Sequence, residues 1–395
     1  MKVLITDGNE RAALAVTRAL GRNNVAVIVG AETEKSLAGS SRYCTQRAVY
    51  ASPYQNPEQF VTGLLETVRK HQVDALFPVS DIAMHVIGPV RGEFEKYTRL
   101  PTPSDEVFQH ISDKYRLMRR AGDLGVAIPQ TVFVSDGCLD SLIDTISEFP
   151  VVVKPGYSLV NVGEQWEKTA VCYAKSREEL YHLYRERPYL SRPSLIQRRI
   201  IGEGQGLFVL MDRGVPLAMF AHRRIRERPP SGGVSVLRES IPLPKVMVES
   251  ALRLLQDVKW HGVAMVEFKI DRDSEVPLLM EINGRFWGSL QLALDAGVNF
   301  PLLLLHLAMG KAQTVPENAY RLGVKSRWLL GDLDQLLMRL RISDENLNLP
   351  PGSPSKAHAV LEFCRFFERD LHYEVEQRDD LRPAWFEIKR YLKVT

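Results

Sequence analysis

Cysteine is scarce in this sequence. Four residues, Cys44, Cys138, Cys172 and Cys364, are scattered over 395 positions, with no Cys-x-x-Cys pair and no Cys/His cluster. That excludes a ligand set for structural zinc and suits a reducing compartment, so a cytoplasmic location is expected. An excess of one charge is also missing. Lys and Arg number 51 against 48 acidic residues, a formal net charge of +3, which gives no electrostatic case for a nucleic-acid partner. The longest apolar run, residues 300–309, carries His306 and is too short to span a bilayer, so no membrane partner is expected. Residues 1–8 enter strand-like sequence directly and do not read as a signal peptide.

Several catalytic signatures are absent as well. There is no GxSxG elbow, no HExxH and no GxxxxGK[ST] phosphate loop, which removes the serine-hydrolase, zinc-protease and P-loop schemes in their usual forms. The first turn, Asp7-Gly8-Asn9-Glu10, has one glycine where a dinucleotide fingerprint has three. An open α/β sheet that helps to wall a substrate cleft is the better reading there.

What is present is an ordinary globular composition, 45% hydrophobic and 25% charged, in a chain long enough for two or three domains. Residues 1–100 alternate strands (3–6, 25–29, 75–79) with helices (10–21, 57–71, from 82), the rhythm of parallel βαβ units. Leu100-Pro101-Thr102-Pro103-Ser104 reads as a linker. A helix capped by Ser112 or Asp113 follows and stops before Gly125. Residues 131–210 mix short strands and helices, a small α+β lobe. A hairpin over 208–226 turns at Asp212-Arg213-Gly214, and helices are expected over 245–258, 288–296 and 301–309. Beyond residue 322 the texture changes: helices over 329–340 and 357–370, a loop at 350–354, and no chemical motif. The expected division is 1–104, 105–196, 197–322 and a mostly helical appendage, 323–395.

The most informative segment is a predicted hairpin, residues 263–271 and 278–285. Both arms are rich in β-formers, with a charged turn over 272–276. A turn symmetric about Ser274 sets Glu267 opposite Glu281, and Asn283, two residues on, shares their face. Facing carboxylates repel, so the arrangement asks for a cation between them. A few hard oxygen ligands with room for phosphates is how Mg²⁺ arrives with a nucleotide. Arg285 lies on the same strand face and points to the same place.

Glu267 followed by Glu281-Ile282-Asn283 and Arg285 resembles the magnesium-binding signature of the ATP-grasp enzymes. Lys114 and Lys154 match the order and spacing of that family's two nucleotide lysines. The resemblance runs over roughly residues 1–310, and is most like the predicted carboxylate–amine ligases. It implies an N-terminal open parallel α/β sheet followed by two α+β lobes that clasp ATP, with Mg²⁺ (or Mn²⁺) held by Glu267, Glu281 and Asn283. It also implies an inter-lobe hinge that reads adenine, with Gln197 and Glu203 at the matching positions. The stretch 156–163, poorer in glycine than is usual in the family, is expected to be a mobile loop over the triphosphate.

The residues add to this. Lys154 ends the apolar run 149–153 just before Pro155-Gly156, where a lysine can aim a point charge at phosphate. In His222-Arg223-Arg224-Ile225-Arg226, strand alternation puts His222, Arg224 and Arg226 on one face, facing an anion, and Ser231-Gly232-Gly233 offers backbone N–H groups nearby. The expected activity is an ATP-dependent ligase: a carboxylate takes the γ-phosphoryl group, an amine displaces phosphate, and alignment and charge neutralisation by Arg285, Arg224 and Arg226 do most of the catalysis. Small-molecule carboxylates and amines, amino acids among them, are the expected partners, and a homo-oligomer is compatible with this. A kinase or a bicarbonate-using carboxylase on the same scaffold, and a nucleotide-binding regulatory protein, stay open.

Overall fold

The computed structural model describes residues 1–393 apart from residues 141, 164 and 351. The expected loop at 350–354 includes residue 351 and so lies partly outside the described residues. Among the described residues the strands form four sheets.

The first sheet is parallel. Its strands are β1 (Lys2–Ile5), β2 (Ala26–Ala31), β3 (Gln46–Val49) and β4 (Ala75–Phe77), in the order β3-β2-β1-β4. Helices α1 (Arg11–Gly21), α2 (Pro57–His71), α3 (Asp81–Ile87) and α4 (Arg91–Glu95) connect and cover it. The order reverses beside β1, so a crevice opens at the C-terminal ends of β1 and β4. Strand β3 is a largely exposed edge strand without apolar alternation, which is why its sequence carries no strand signal.

Two helices come next, α5 (Asp105–Ser112) and α6 (Lys114–Asp123). Asp113 caps α6 by accepting from the Tyr115 and Arg116 amides, as its residue type favours. The second sheet follows. Its region holds β5 (Thr131–Val134), β6 (Val151–Pro155), β7 (Leu159–Val162), β8 (Gln165–Lys168), β9 (Cys172–Ala174), α7 (Arg177–Glu186) and β10 (Ser194–Arg198). The sheet is antiparallel in the order β5-β10-β6-β9. Residues 156–163, expected as a loop, instead supply β7, which pairs with β8 in a separate hairpin. Leu159 and Val160 bury their side chains while Asn161 and Val162 stay exposed. The hairpin leans on the first sheet through the Trp166 amide, which donates to the Tyr54 carbonyl at 2.9 Å.

The large sheet holds β11 (Gly204–Asp212), β12 (Val215–Arg228), β13 (Val234–Ser240), β14 (Gly262–Ile270), β15 (Pro277–Asn283), β16 (Lys325–Arg327) and β17 (Leu371–Tyr373), in the order β15-β14-β11-β12-β13-β16-β17. Helix α8 (Lys245–Asp257) precedes β14. Helices α9 (Leu290–Ala296) and α10 (Phe300–Ala308) follow β15, and α11 (Leu329–Arg341), α12 (Lys356–Phe363) and α13 (Arg382–Tyr391) end the chain. The segment expected as a mostly helical appendage thus extends this sheet by two strands, and the helix expected over 357–370 stops at Phe363. Lys-Ser-Arg and Leu-His-Tyr are too short and too polar to show strand periodicity.

Strand β11 is buried on both faces. Leu207, Val209 and Met211 enter a core with Met247, Leu254 and Trp260, while Phe208 and Leu210 enter a second core with Trp287 and Leu304. The second core also takes Val3, Ile5 and Phe77 of the first sheet, so the two sheets are joined by shared apolar packing. Among the described residues no single helix is long and apolar enough to cross a membrane. Helices α9 and α10 pass that test only as a pair bent by 95°, and both contribute side chains to the second core.

Candidate functional site

The hairpin β14–β15 sets Glu267 directly opposite Glu281, Val266 opposite Ile282 and Met265 opposite Asn283. Its turn is not symmetric about Ser274, since Ile270 pairs with Pro277 and Phe268 with Leu279. A bulge at Met280 adds the residue that restores the register, as bulges do beside functional sites. The row continues across the sheet on the same face: Glu281, Glu267, Gly206, His222, Ser240.

Asn283 sits between the acids. Its Nδ2 donates to Glu267 Oε1 and to Glu281 Oε1, each at 3.1 Å. Two acidic oxygens from neighbouring strands therefore converge on one donor, an environment that favours positive charge. Four cationic side chains close around them. Lys114 Nζ lies 3.4 Å from Glu281 Oε2 and donates to Ser158 Oγ at 2.6 Å. Lys154 Nζ packs 3.9 Å from Met280 Sδ. Arg224 pairs with Glu267 and donates to Glu227 at 2.8 Å. Arg285 donates to Asp81 Oδ2 at 2.7 Å and to Asn283 Oδ1 at 3.1 Å.

The electrostatics separate the two carboxylates. Burial pushes both up, but Lys114, the Asn283 hydrogen bond and Lys154 outweigh it at Glu281 and hold that group below its ordinary value. At Glu267 burial prevails over Arg224, helped by the neighbouring Glu281, so this group is raised. Burial lowers Lys154 to about 8, opposed by Glu281 and reinforced by Lys114. Burial alone would also lower Arg224 and Arg285; Glu267 and Glu227 hold the first above its usual value, and Asp81 the second. Interacting acids in a cleft with split titrations are the pattern of a functional site.

Apart from Lys114, which reaches Glu281 from beside it, these groups line one cleft of about 840 Å³, within the range of small-molecule sites. Its walls include Glu10, Ser80 and Asp81 at the C-terminal edge of the first sheet, Lys154 and Gln197 of the second, and the β11–β15 face of the large sheet. Gln197 Nε2 donates to Thr131 Oγ1 at 2.9 Å, and its buried Oε1 has no partner among the described residues.

Two expected site residues are not brought there. Arg226 is one. Bulges on either side of it break the alternation of β12, so it does not share a face with Arg224. It forms a two-pronged pair with Asp332, at 2.7 and 2.6 Å. Glu203 is the other. Gly204 and Gly206 lie on the cleft side of β11, and strand alternation sends Glu203 and Gln205 to the opposite face. There Glu203 accepts from Gln205 at 2.8 Å and lines a separate groove with Arg223, Glu239 and Lys245.

Gly204 and Gly206 have a clear role. A Cβ on Gly204 would lie 2.9 Å from Arg224 Cδ, and one on Gly206 would lie 3.0 Å from His222 Nε2. Their bare backbone lets the Arg224 side chain lie across β11 to reach Glu267. Asp81, Ser158, Glu227 and Trp287 also belong to the cleft surroundings. Of these only Asp81 had a sequence signal, following an N-cap Ser80 at the end of β4.

Two carboxylates and an amide fit magnesium that shares its coordination with phosphates. Among the described residues no group of three or more His, Cys, Asp or Glu is arranged to hold a metal.

Residues 216–329 match the family model described as ATP-grasp in the biosynthetic pathway with Ter operon. No curated protein matches the sequence significantly. Among solved structures, the chain is similar to an L-amino acid ligase from Bacillus licheniformis at TM-score 0.64 and 14% identity, covering 82% of this chain and 78% of that one. It is similar to the biotin carboxylase domain of Hydrogenobacter thermophilus 2-oxoglutarate carboxylase at TM-score 0.64 and 15% identity, covering 82% and 73%. The biotin carboxylase of Campylobacter jejuni gives 0.63 and 14%, covering 82% and 74%. At these identities the likeness is one of fold.

Proposed function

We propose that this chain, which has the fold of ATP-grasp enzymes and matches an ATP-grasp family model over residues 216–329, is an ATP-dependent ligase joining a carboxylate to an amine through an acyl phosphate. The observation that carries this reading is the pair of opposed carboxylates, Glu267 and Glu281, bridged by Asn283 and facing one cleft with Lys154, Arg224 and Arg285, while Lys114 reaches Glu281 at 3.4 Å. Neither a hydroxyl nor a thiol nucleophile is needed for such a reaction. It needs alignment, neutralised phosphate charge and exclusion of water.

On this reading residues 105–196 and 197–322 act as two lobes that clasp the nucleotide, and residues 1–104 wall the co-substrate end. Gln197 and the backbone beside it hold the base. Lys154 and Lys114 hold the phosphate tail over Glu267, Glu281 and Asn283. Magnesium bound there would neutralise the phosphates and polarise the γ-phosphoryl group. Arg285, fixed by Asp81 and Asn283, presents its charge where a carboxylate attacks that group. The carboxylate oxygen forms a bond to phosphorus as the bond to the ADP oxygen breaks. The amine nitrogen then attacks the acyl carbon and inorganic phosphate leaves. Arg224, anchored on Glu267 and Glu227, stabilises the charge that develops on the departing phosphate.

The test is incubation with Mg-ATP and mixed amino acids, reading ADP, phosphate and coupled product by mass. Phosphate release that requires both an acid and an amine supports ligation. A stable phosphorylated product means a kinase, turnover on bicarbonate alone a carboxylase, and nucleotide binding without turnover a regulatory protein. Glu281→Gln is expected to lower turnover by about 10²–10³-fold while the protein stays folded. A near-normal rate in that variant would remove Glu281 from the site.

A further inference from the structure

The end of the cleft away from Lys154 contains polar atoms that the mechanism above does not use. His222 is 0% exposed and lines the cleft, yet neither ring nitrogen has a hydrogen-bond partner among the described residues. Trp287 is 1% exposed, lines the same cleft, and its Nε1 likewise has no partner among the described residues. The two flank one ring: Phe208 meets His222 edge-on at 4.7 Å between centroids and Trp287 at 4.4 Å. Buried polar groups are satisfied in folded proteins almost without exception, so two together on a cleft wall call for a ligand.

Their chemistry is complementary. The indole N–H only donates. Burial, with Arg224 and Arg238 close by, holds the His222 imidazole far below its ordinary value, so the ring is neutral and offers one donor and one acceptor. Such a pair suits a group with both a lone pair and a proton. Position then limits the size of the ligand. Glu267, Gly206 and His222 occupy one row on three adjacent strands, and two strand spacings amount to roughly 10 Å. A one-carbon acid beside Glu267 cannot also reach His222. The bare backbone of Gly206 lets the His222 and Phe208 rings close over it, within 3.0 and 2.9 Å of where a Cβ would stand.

We propose that His222 and Trp287 form the specificity-determining end of the acid subsite, and that they recognise a hydroxyl group on a carboxylic acid whose carboxylate lies at the Glu267–Glu281 end. This rests on the ligase reading only for the position of the carboxylate. It makes the carboxylate substrate a hydroxyl-bearing acid, a hydroxylated amino acid included, rather than bicarbonate or a simple fatty acid.

The test is calorimetric titration of the full-length protein in Mg-ADP with the twenty L-amino acids, their α-hydroxy analogues, acetate and bicarbonate. At least one hydroxyl-bearing acid is expected to bind in preference to its analogue without the hydroxyl, and His222→Phe, which keeps a ring in an aromatic surrounding, to weaken it about tenfold or more. His222→Gln, which keeps polar atoms, is expected to recover part of that affinity, and Mg-ADP affinity to stay within about twofold in both variants. The imidazole resonance that His222→Phe removes is expected to shift in the wild type when the acid is added. If His222→Phe fails to fold, Trp287→Phe and the wild-type imidazole resonance, assigned by its loss in His222→Gln, carry the same test. Binding that is equal in His222→Phe, binding of acetate or bicarbonate alone, no binding by any acid, or a resonance indifferent to the acid each overturns the proposal. An acid that binds with the expected dependence on His222, but yields no ADP from Mg-ATP, keeps this subsite and sinks the ligase reading instead.

Discussion

Arg224 and Arg226 stand two residues apart on β12, and by simple alternation they belong on one face. Arg224 lies over Gly204, ends on Glu267 and Glu227, and keeps a buried Nε that has no partner among the described residues. Arg226 is closed off. Both prongs of its fork are taken by Asp332, which is fully buried and also accepts from Arg327 at 2.7 Å. Arg327 in turn donates to the Phe363 carbonyl and lies over the Phe363 ring. The two arginines illustrate that a guanidinium is available to substrate only where its carboxylate partner also faces the cleft. A partner sealed among other protein groups makes the same side chain a clamp, here between β12, β16 and α11.

The comparison is most sharply tested by exchanging the expected losses. Arg224→Ala is expected to cut turnover by about 10²–10³-fold, with a smaller loss of stability than the sealed pair below, since Glu267 and Glu227 keep some exposure to the cleft. Asp332→Ala leaves Arg226 and Arg327 facing each other in a buried site, and is expected to destabilise the fold by about 3–5 kcal/mol while the variant, where folded, keeps its KM for ATP. Denaturant titration beside steady-state kinetics separates the two. If Asp332→Ala loses activity at full stability, Arg226 belongs to the chemistry after all.

A smaller effect is expected from Gly204→Ala. The added methyl meets Arg224 Cδ at 2.9 Å and pushes the guanidinium off Glu267. Turnover is expected to fall about tenfold, near the worth of one weakened charged hydrogen bond, and the double variant with Arg224→Ala is expected to be no worse than Arg224→Ala alone. Additive losses would mean that Gly204 acts through something else.

The smallest effect concerns pH. Lys154 is lowered to about 8 by burial, so its positive form, the one that attracts phosphate, is full below that value and lost above it. Affinity for ADP measured against the free protein is expected to hold up to about pH 8 and then weaken, by at most about tenfold per unit. Bound phosphate raises the lysine again, so the limb belongs to the free protein. Lys154→Arg, charged throughout, is expected to flatten it. A wild-type profile that is level from pH 7 to 9 would take Lys154 away from the phosphates.

Much of the site was legible in the sequence because strand periodicity is local. Glu267, Glu281, Asn283 and Arg285 could be put on one face from their spacing, and Asp113 could be read as a cap. The pairing of Glu267 with Glu281 was reached through a symmetric turn that the structure does not have; the bulge at Met280 compensates the offset. The same feature defeated the reading at Arg226, where an extra residue in β12, Ile225, and one in β13, Val236, shift the pairing and reverse the face. Residues 156–163 read as a loop because a four-residue strand paired only with its own neighbour has little periodicity to see. Asp81, His222 and Trp287 join the site from segments far apart in the chain, so their roles depended on how sheets and helices came together.

The sequence by itself determined the parallel start of the fold, the hairpin, and the acidic pair with its amide, since each follows from residue preferences acting over a few positions. Tertiary structure decided which cations reach that pair, which are locked elsewhere, and which polar atoms are left unpaired at the far end of the cleft. Those outcomes turn on bulges, on two bare glycines in β11 and on packing between sheets. Side chains hundreds of residues apart meet only after the chain has closed, and no local pattern records which of them will find a partner.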